Sequence, residues 1–227
     1  MTIGAYRFDW TVISRNFPII LQGLSLTLKI AGSVLVLTTI VGLIVCFGRM
    51  SKNRIVYGVA TGYVEAIRNT PLLVQLFLIY YGLPQWGIRL SGFTVSIVVL
   101  TLHTGAYTAE IFRAGIESTS MGQIQAGKSL GLKNTQIMQH IVLPQAWIAI
   151  IPALTNQFIY TLKDTPLLAF IGVKEMMYIF YDIQTNTWQV FEVYLTAGGI
   201  YLLFSLLIGF GARRLESHHL KKFKKKT

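Results

Sequence analysis

Gly122–Pro144, GQIQAGKSLGLKNTQIMQHIVLP, is a polar island in a chain that otherwise reads as lipid-soluble. Its first letters, Gly122-Gln-Ile-Gln-Ala-Gly127-Lys128-Ser129, fit the phosphate-loop pattern G-x-x-x-x-G-K-[ST]. Such a loop needs a strand that delivers a glycine-rich turn, free amides around the phosphates, and a helix behind them. Here the preceding stretch, Leu100–Ile116, reads as a membrane helix, and the variable positions are good helix formers. Ser120 with Gln123 predicts a capping box, so the same amides are consumed by helix bonds. The island therefore predicts a short exposed helix from about Met121 to Leu130, with Gly131 as its C-terminal glycine. Asn134 or Thr135 is expected to cap the next helix, which enters the membrane through Ile137, Ile141, Val142 and Leu143 and bends or restarts at Pro144. An ordinary loop between two spans is the plainer alternative.

Composition sets the surroundings of that helix. The chain has 227 residues, 53% hydrophobic and 13% charged, with mean hydropathy +0.55; soluble domains carry about twice that charged fraction. Five segments stay uncharged long enough to cross hydrocarbon: Ile30–Gly48, Asn69–Ile88, Ser91–Ala109, Ile141–Leu162 and Val193–Ala212. They are continuously apolar without period-two alternation, so the expected fold class is an all-α membrane protein of five transmembrane helices rather than a barrel. Met1–Phe17 has no basic leader and does not read as a secretory signal. The single cysteine, Cys46, excludes an internal disulfide and a cysteine-cluster metal site.

The net charge of +11 is concentrated in a tail. Arg213, Arg214, Lys221, Lys222, Lys224, Lys225 and Lys226 follow the last apolar run, the pattern of a cytoplasmic flank, and no base-stacking aromatics accompany them, so no nucleic acid is expected as a partner. With the C-terminus inside, five spans place the N-terminus outside. Arg49, Lys52, Arg54, Arg113, Lys128 and Lys133 then also lie inside, while the outer loops carry only Arg89 and Lys174. The outer segments are aromatic (Tyr6, Phe8, Trp10, Phe17, Trp86, Tyr178, Phe180, Tyr181, Trp188, Phe191), as expected at headgroup depth. One membrane domain, residues 1–227, is expected, with spans at about 22–48, 55–83, 91–114, 137–170 and 192–213 and a cytoplasmic loop at about 118–135.

Gln125-Ala126-Gly127, Gly131, Ile141, Leu143 and Pro144 also fit a longer pattern, E-A-A-x3-G-x9-I-x-L-P, the docking loop of ATP-driven import permeases. With it come Gly23-Leu-Ser-Leu-Thr-Leu, Arg68-Asn-Thr-Pro-Leu-Leu-Val-Gln75, Gly105-Ala-Tyr-Thr-Ala-Glu-Ile-Phe-Arg113, Leu143-Pro-Gln-Ala146 and Leu162-Lys-Asp-Thr165, in this order. Together they make the chain resemble a permease subunit of the polar amino-acid family of bacterial ATP-binding-cassette importers. The departures are Gln125 and Gly127, where the loop pattern prefers Glu and Ala. The resemblance implies a type I importer (MetI-like) permease fold in the bacterial inner, cytoplasmic membrane. It implies a second permease subunit, the same or related, an ATPase subunit dimer, and an extracellular or periplasmic amino-acid-binding protein. The chain itself is then not an enzyme and binds no cofactor, ATP and Mg residing on the partner ATPase. Docking to that ATPase falls to Gln123, Gln125, Ala126, Gly127, Ser129, Leu130, Gly131 and Leu132.

Charges at membrane depth require a reason. Glu65/Arg68 and Glu110/Arg113 are spaced i, i+3, each pair on one helix face. Glu110/Arg113 is expected to brace the docking loop; Glu65/Arg68 either braces or lines the solute path. Gln157, Thr161 and Asp164 share a face at i, i+4, i+7. Under the resemblance, Asp164 is a candidate acceptor for a solute ammonium, with Arg68, Thr70 or Lys163 as donors to its carboxylate; an interface ion pair is the alternative role for Asp164. His103, Tyr107 and Glu110 share another face, where His103 reads as a packed, hydrogen-bonded residue. Asn69, Thr70 and Pro71 are expected to loosen the second span. The rival functions are an ion- or proton-coupled secondary transporter, which needs no ATPase, and a membrane-embedded acyl or glycan-lipid transferase, whose clustered acidic or histidine residues at one surface are missing.

Overall fold

A computed structural model describes residues 6–224, with side chains to residue 214. The described residues form helices and no strands. In chain order they are α1 (Thr11–Arg49), α2 (Arg54–Arg68), α3 (Leu72–Phe77), α4 (Gly92–Glu117), α5 (Met121–Ser129), α6 (Asn134–Ile137), α7 (Leu143–Asp164), α8 (Met176–Thr187) and α9 (Val190–Lys224).

Among the described residues four stretches are long and apolar enough to cross a membrane: Thr11–Arg49, Gly92–Glu117, Asn134–Ile171 and Val190–Arg214. The third is α6, a π-turn at Met138–Val142, α7, and a 3-10 turn at Thr165–Ile171 in succession. The expected second span, about 55–83, is not one such helix. It is α2, a break at 69–71, α3, a π-turn at Leu78–Gly82 and a 3-10 turn at Leu83–Trp86. Pro71 explains the break: it has no N–H for a helical bond, it crowds the preceding residue out of helical geometry, and it sits extended at φ −63°, ψ 137°.

The helices bury their apolar stripes in three clusters along α1. Near its start, Val12 and Ile20 meet Met176, Phe180 and Val193 of α8 and α9. In the middle, Ile30 and Val34 meet Leu76 of α3, Val95 and Leu100 of α4, and Leu168. Near its end, Cys46 meets Ala109 and Phe112 of α4 and Ala146 and Ile150 of α7. Buried Thr27, Thr38, Thr104 and Thr108 allow close approach; the Thr27 hydroxyl bonds the Gly23 carbonyl within its helix and that of Thr104 bonds Thr161 across to α7. α1 and α4 thus form the central pair, with α8 at one end of the bundle and α5 at the other.

The α8 end is knit without cations. Glu175 is fully buried and its carboxyl accepts from the Tyr178 amide at 2.8 Å, the Thr27 hydroxyl at 3.2 Å and the Tyr201 hydroxyl at 3.3 Å. Thr27 in turn accepts from the Met176 amide at 3.0 Å. One side chain thereby caps α8 and joins it to α1 and α9. Nearby, buried Glu192 accepts the Asp9 amide at 2.6 Å and the Tyr6 hydroxyl, tying the segment before α1 onto the start of α9.

Candidate functional site: an exposed connecting helix and a polar pocket between α2, α4 and α7

The polar island folds as α5, Met121–Ser129, so the amides that a phosphate loop would offer are bonded within the helix and its first turn. The helix ends in a Schellman motif: the Leu132 amide donates to the Gly127 carbonyl at 3.1 Å and the Gly131 amide to the Lys128 carbonyl at 2.9 Å. Gly131 takes φ 77°, the left-handed geometry the motif demands and glycine accepts without strain. Two capping expectations need correction. Ser120 is the N-cap residue but its side chain makes no capping bond: the Gln123 amide donates to the Ser120 carbonyl at 3.1 Å, and the Gln123 side chain turns away, its Oε1 accepting from Gln145 Nε2 at 2.8 Å. The next helix is entered through Lys133 rather than Asn134 or Thr135, with Gln136 Oε1 accepting the Lys133 amide at 2.8 Å.

The residues of α5 divide cleanly. Gly127 is buried, and a Cβ there would lie 3.0 Å from Ile141 and 3.2 Å from Ile137, so it faces the neighbouring π-turn and lets the two elements approach closely. Gln125, Ala126, Ser129, Leu130 and Gly131 are exposed, Leu130 at 81% and Met121 at 66%; Leu132 is half-buried. α5 is therefore a short helix seated on α6–α7 by Gly127 and the Gln123–Gln145 bond, presenting an apolar-tipped surface outward.

Above it, Glu110 gathers three guanidinium groups. Arg49 at the end of α1 lies 2.7 Å from Oε1, Arg113 one turn on lies 2.9 Å from Oε2, and Arg68 at the end of α2 lies 3.7 Å away. Arg113 also reaches Glu117 at 2.6 Å. The expected Glu110/Arg113 pair forms. The expected Glu65/Arg68 pair does not: Glu65 is exposed and accepts from Asn69 Nδ2 at 3.1 Å, while Arg68 points across to α4. Helix spacing put the two on one face, but Glu110 offered Arg68 a more buried carboxylate.

Arg68 is the least committed of the three cations. Its side chain is 40% exposed and its guanidinium lies 5.3 Å above the Tyr107 ring. Beside it opens a hollow of about 380 Å³, lined by Arg68, Tyr107 and Glu110 and closed by the small residues Ala114, Gly115, Ala149 and Ala153, with Gln157 at its edge. Ala149, Ala153 and Gln157 recur every four residues on α7, so one helical stripe supplies both the space and a terminal amide. That volume lies within the range of small-molecule sites.

The remaining sequence candidates lie elsewhere. Thr161 is buried and bonds Thr104 at 3.1 Å. Lys163 is exposed and lines a separate hollow with Pro166, Tyr201 and Ser205. Asp164 is half-buried, two helical turns beyond Gln157, and its carboxyl makes no hydrogen bond or ion pair to any described residue. Thr70 bonds the Ala66 carbonyl at 2.8 Å and accepts from Gln75 at 2.8 Å. The structure thus brings Arg68 and Gln157 to one pocket and leaves Asp164, Lys163, Thr161, Thr70 and Glu65 outside it. Arg49, Ala149, Ala153 and Gln75 were passed over in the sequence; the small-residue stripe ending at Gln157 is the signal that marks the α7 wall. His103 is packed and bonded, as its setting implied: Nδ1 lies 3.1 Å from Gln75 Oε1 and its ring 5.2 Å from that of Tyr107.

Residues 38–219 match the family model described as the binding-protein-dependent transport system inner membrane component. The chain is 36% identical over 213 residues to the probable glutamine ABC transporter permease protein GlnM of Bacillus subtilis, covering 94% of this chain and 99% of that one. It is 34% identical over 212 residues to the glutamine transport system permease protein GlnP of Escherichia coli K12, covering 92% and 97%. Its fold superposes with a TM-score of 0.89 on a chain of an amino acid ABC transporter crystallised with histidines, at 35% identity, covering 94% of this chain and all of the other.

Proposed function

The chain belongs to the inner-membrane components of binding-protein-dependent transport systems, and on that premise we propose that it passes a polar amino acid across the cytoplasmic membrane by alternating access, driven by a separate ATPase. It is a multi-pass permease subunit of an amino-acid importer. The single observation that carries the mechanism is α5: a capped helix clamped between two long spans, with Gln125, Ser129 and Leu130 turned outward. A stiff helix seated on Ile137 and Ile141 passes a push on its exposed face directly into α7, whose middle turns line the pocket. A flexible loop would dissipate that push. In this reading the α5 end faces the cytoplasm, where the basic flanks lie, and the α8 end faces outward. The broken segment 55–83 crosses as the fifth span, since broken helices are tolerated at membrane depth where they line a cavity.

The pocket supplies the chemistry a zwitterion needs. Arg68, held by one long contact to Glu110 and by the Tyr107 ring, is free to take the solute carboxylate as a charge-assisted bond. Gln157 offers an amide to a polar side chain. Asp164, whose carboxyl has no partner among the described residues, forms a second station two turns along α7 that receives the ammonium during passage. A second permease subunit would close the open side of the path, and an amino-acid-binding receptor would deliver solute to the α8 end.

The test is uptake of labelled L-glutamine, L-arginine and L-histidine into proteoliposomes holding the complete complex with its receptor. ATP-dependent uptake of one of them, indifferent to ionophores, is the expected result. Uptake without the ATPase, or its collapse with the membrane potential, would make the chain a secondary transporter.

A further inference from the structure

Among the backbone oxygens left without helical partners at the Pro71 break are those of Ile67 and Thr70. The Ile67 carbonyl would bond the amide of residue 71, which proline lacks. The Thr70 carbonyl would bond Val74, but that amide turns to Pro71 at 3.0 Å. At membrane depth an unmet carbonyl is strongly disfavoured. One side chain serves both: Gln75 Nε2 donates to Ile67 O at 2.9 Å and to Thr70 O at 3.1 Å, and also lies 2.8 Å from Thr70 Oγ1. With its amide nitrogen facing oxygens, Gln75 must present Oε1 to His103, so His103 Nδ1 is the donor of the 3.1 Å bond.

That bond is the first of three successive grips that α4 has on the break. One turn along, the Tyr107 hydroxyl reaches the Arg68 carbonyl at 3.5 Å and its ring lies under the guanidinium. At the next position Glu110 meets the same guanidinium. The face of α4 formed by His103, Tyr107 and Glu110 therefore fixes where α2 ends and where Arg68 points.

We infer that Gln75 is a positioning residue: bracketed to His103, it holds the break at 69–71 in the geometry that presents Arg68 to the pocket, and so sets affinity for the carboxylate of the amino acid. The inference rests on the pocket as the solute site and adds the residue that aims it. Because Gln75 touches neither the pocket nor its contents, it acts through Arg68.

The experiment uses the full complex in nanodiscs for hydrogen exchange and in proteoliposomes for L-glutamine uptake. Gln75→Leu keeps bulk and removes both functions of the amide. Its amides at 72–78 should exchange roughly tenfold faster, and KM for L-glutamine should rise roughly tenfold with Vmax within about twofold. His103→Asn, which keeps a donor near the Nδ1 position, should leave KM unchanged; His103→Leu should raise it as Gln75→Leu does, and serves if Gln75→Leu fails to assemble. Combined with Arg68→Gln, Gln75→Leu should add almost nothing, since the two changes break one arrangement. Unchanged exchange in Gln75→Leu, or effects of Gln75→Leu and Arg68→Gln that simply add, overturns the inference. If L-glutamine is not carried, the same KM comparison uses whichever of L-arginine and L-histidine is; if Arg68→Gln itself leaves that KM at the wild-type value, the pocket reading fails instead. The exchange comparison then decides whether Gln75 holds the break.

Discussion

Two carboxylates, Glu110 and Glu175, organise opposite ends of the bundle by different means. Glu110 sits among Arg49, Arg68 and Arg113 beside an open hollow, at 17% exposure. Glu175 is fully buried beside apolar packing and accepts hydrogen bonds from the Tyr178 amide and two hydroxyls, with no cation paired to it among the described residues. Ion pairs near water can exchange partners at low cost, whereas a neutral network inside a packed core has one arrangement. The α5 end is therefore built to change its contacts with solute, and the α8 end to hold α1, α8 and α9 together while it does so.

The largest effect should come from Glu110→Ala. It leaves three guanidinium groups without their shared acceptor, at about 2 kcal/mol of stability after allowing for partial solvation, and uptake should fall to background. Preserved uptake in vesicles would remove the cluster from the working path. Glu175→Gln should cost less, about 1 kcal/mol, because the amide oxygen still accepts from Tyr178 while the amide nitrogen meets two hydroxyls that can rotate. Transport measured per folded protein should hardly change; a selective loss of transport would break the contrast between the ends.

Acidity sharpens the same contrast. Burial pushes the Glu175 carboxyl above its ordinary range, with the hydrogen bonds from Tyr178, Thr27 and Tyr201 opposing it. The folded state therefore holds this proton more tightly than the unfolded chain does. The resulting stabilisation is complete below the unfolded carboxyl pKa and is lost as pH rises through the folded value. Melting temperature should thus fall with rising pH in wild type and fall less in Glu175→Gln. Parallel curves would show that Glu175 titrates as it does in the unfolded chain. The smallest effect is expected from Asp164→Asn, a few-fold rise in KM, since Asp164 stands outside the pocket; a shift in which amino acid is carried would place it at the binding step instead.

What the sequence disclosed follows the reach of each interaction. α5 was readable because its start, its Schellman glycine and its helix-forming interior are all local, within a dozen residues. The capping box expected at Ser120 does not form, and the Gln123 side chain instead finds Gln145, a partner far along the chain. The break at Pro71 was readable for the same local reason. Glu110/Arg113 was visible as an i, i+3 pair, but the Arg49 and Arg68 contacts depend on how α1, α2 and α4 pack, and no periodicity within one helix encodes that. The pocket likewise needs α2, α4 and α7 at once, so Asp164 stood out as a charge in an apolar run while Ala149 and Ala153 passed as ordinary helix residues. The fully buried Glu175 gave no signal, lying in a mixed stretch between two apolar runs.

The proposal that α5 receives mechanical work is tested most directly by a photo-crosslinking residue at exposed Gln125, in membrane vesicles containing the assembled importer. The expected result is a covalent product with the ATPase subunit, its yield changed by ATP and vanadate, while the same probe at Gln184 on α8 yields none. Absence of any ATPase product from Gln125, in vesicles that still carry out ATP-driven uptake, would contradict the account.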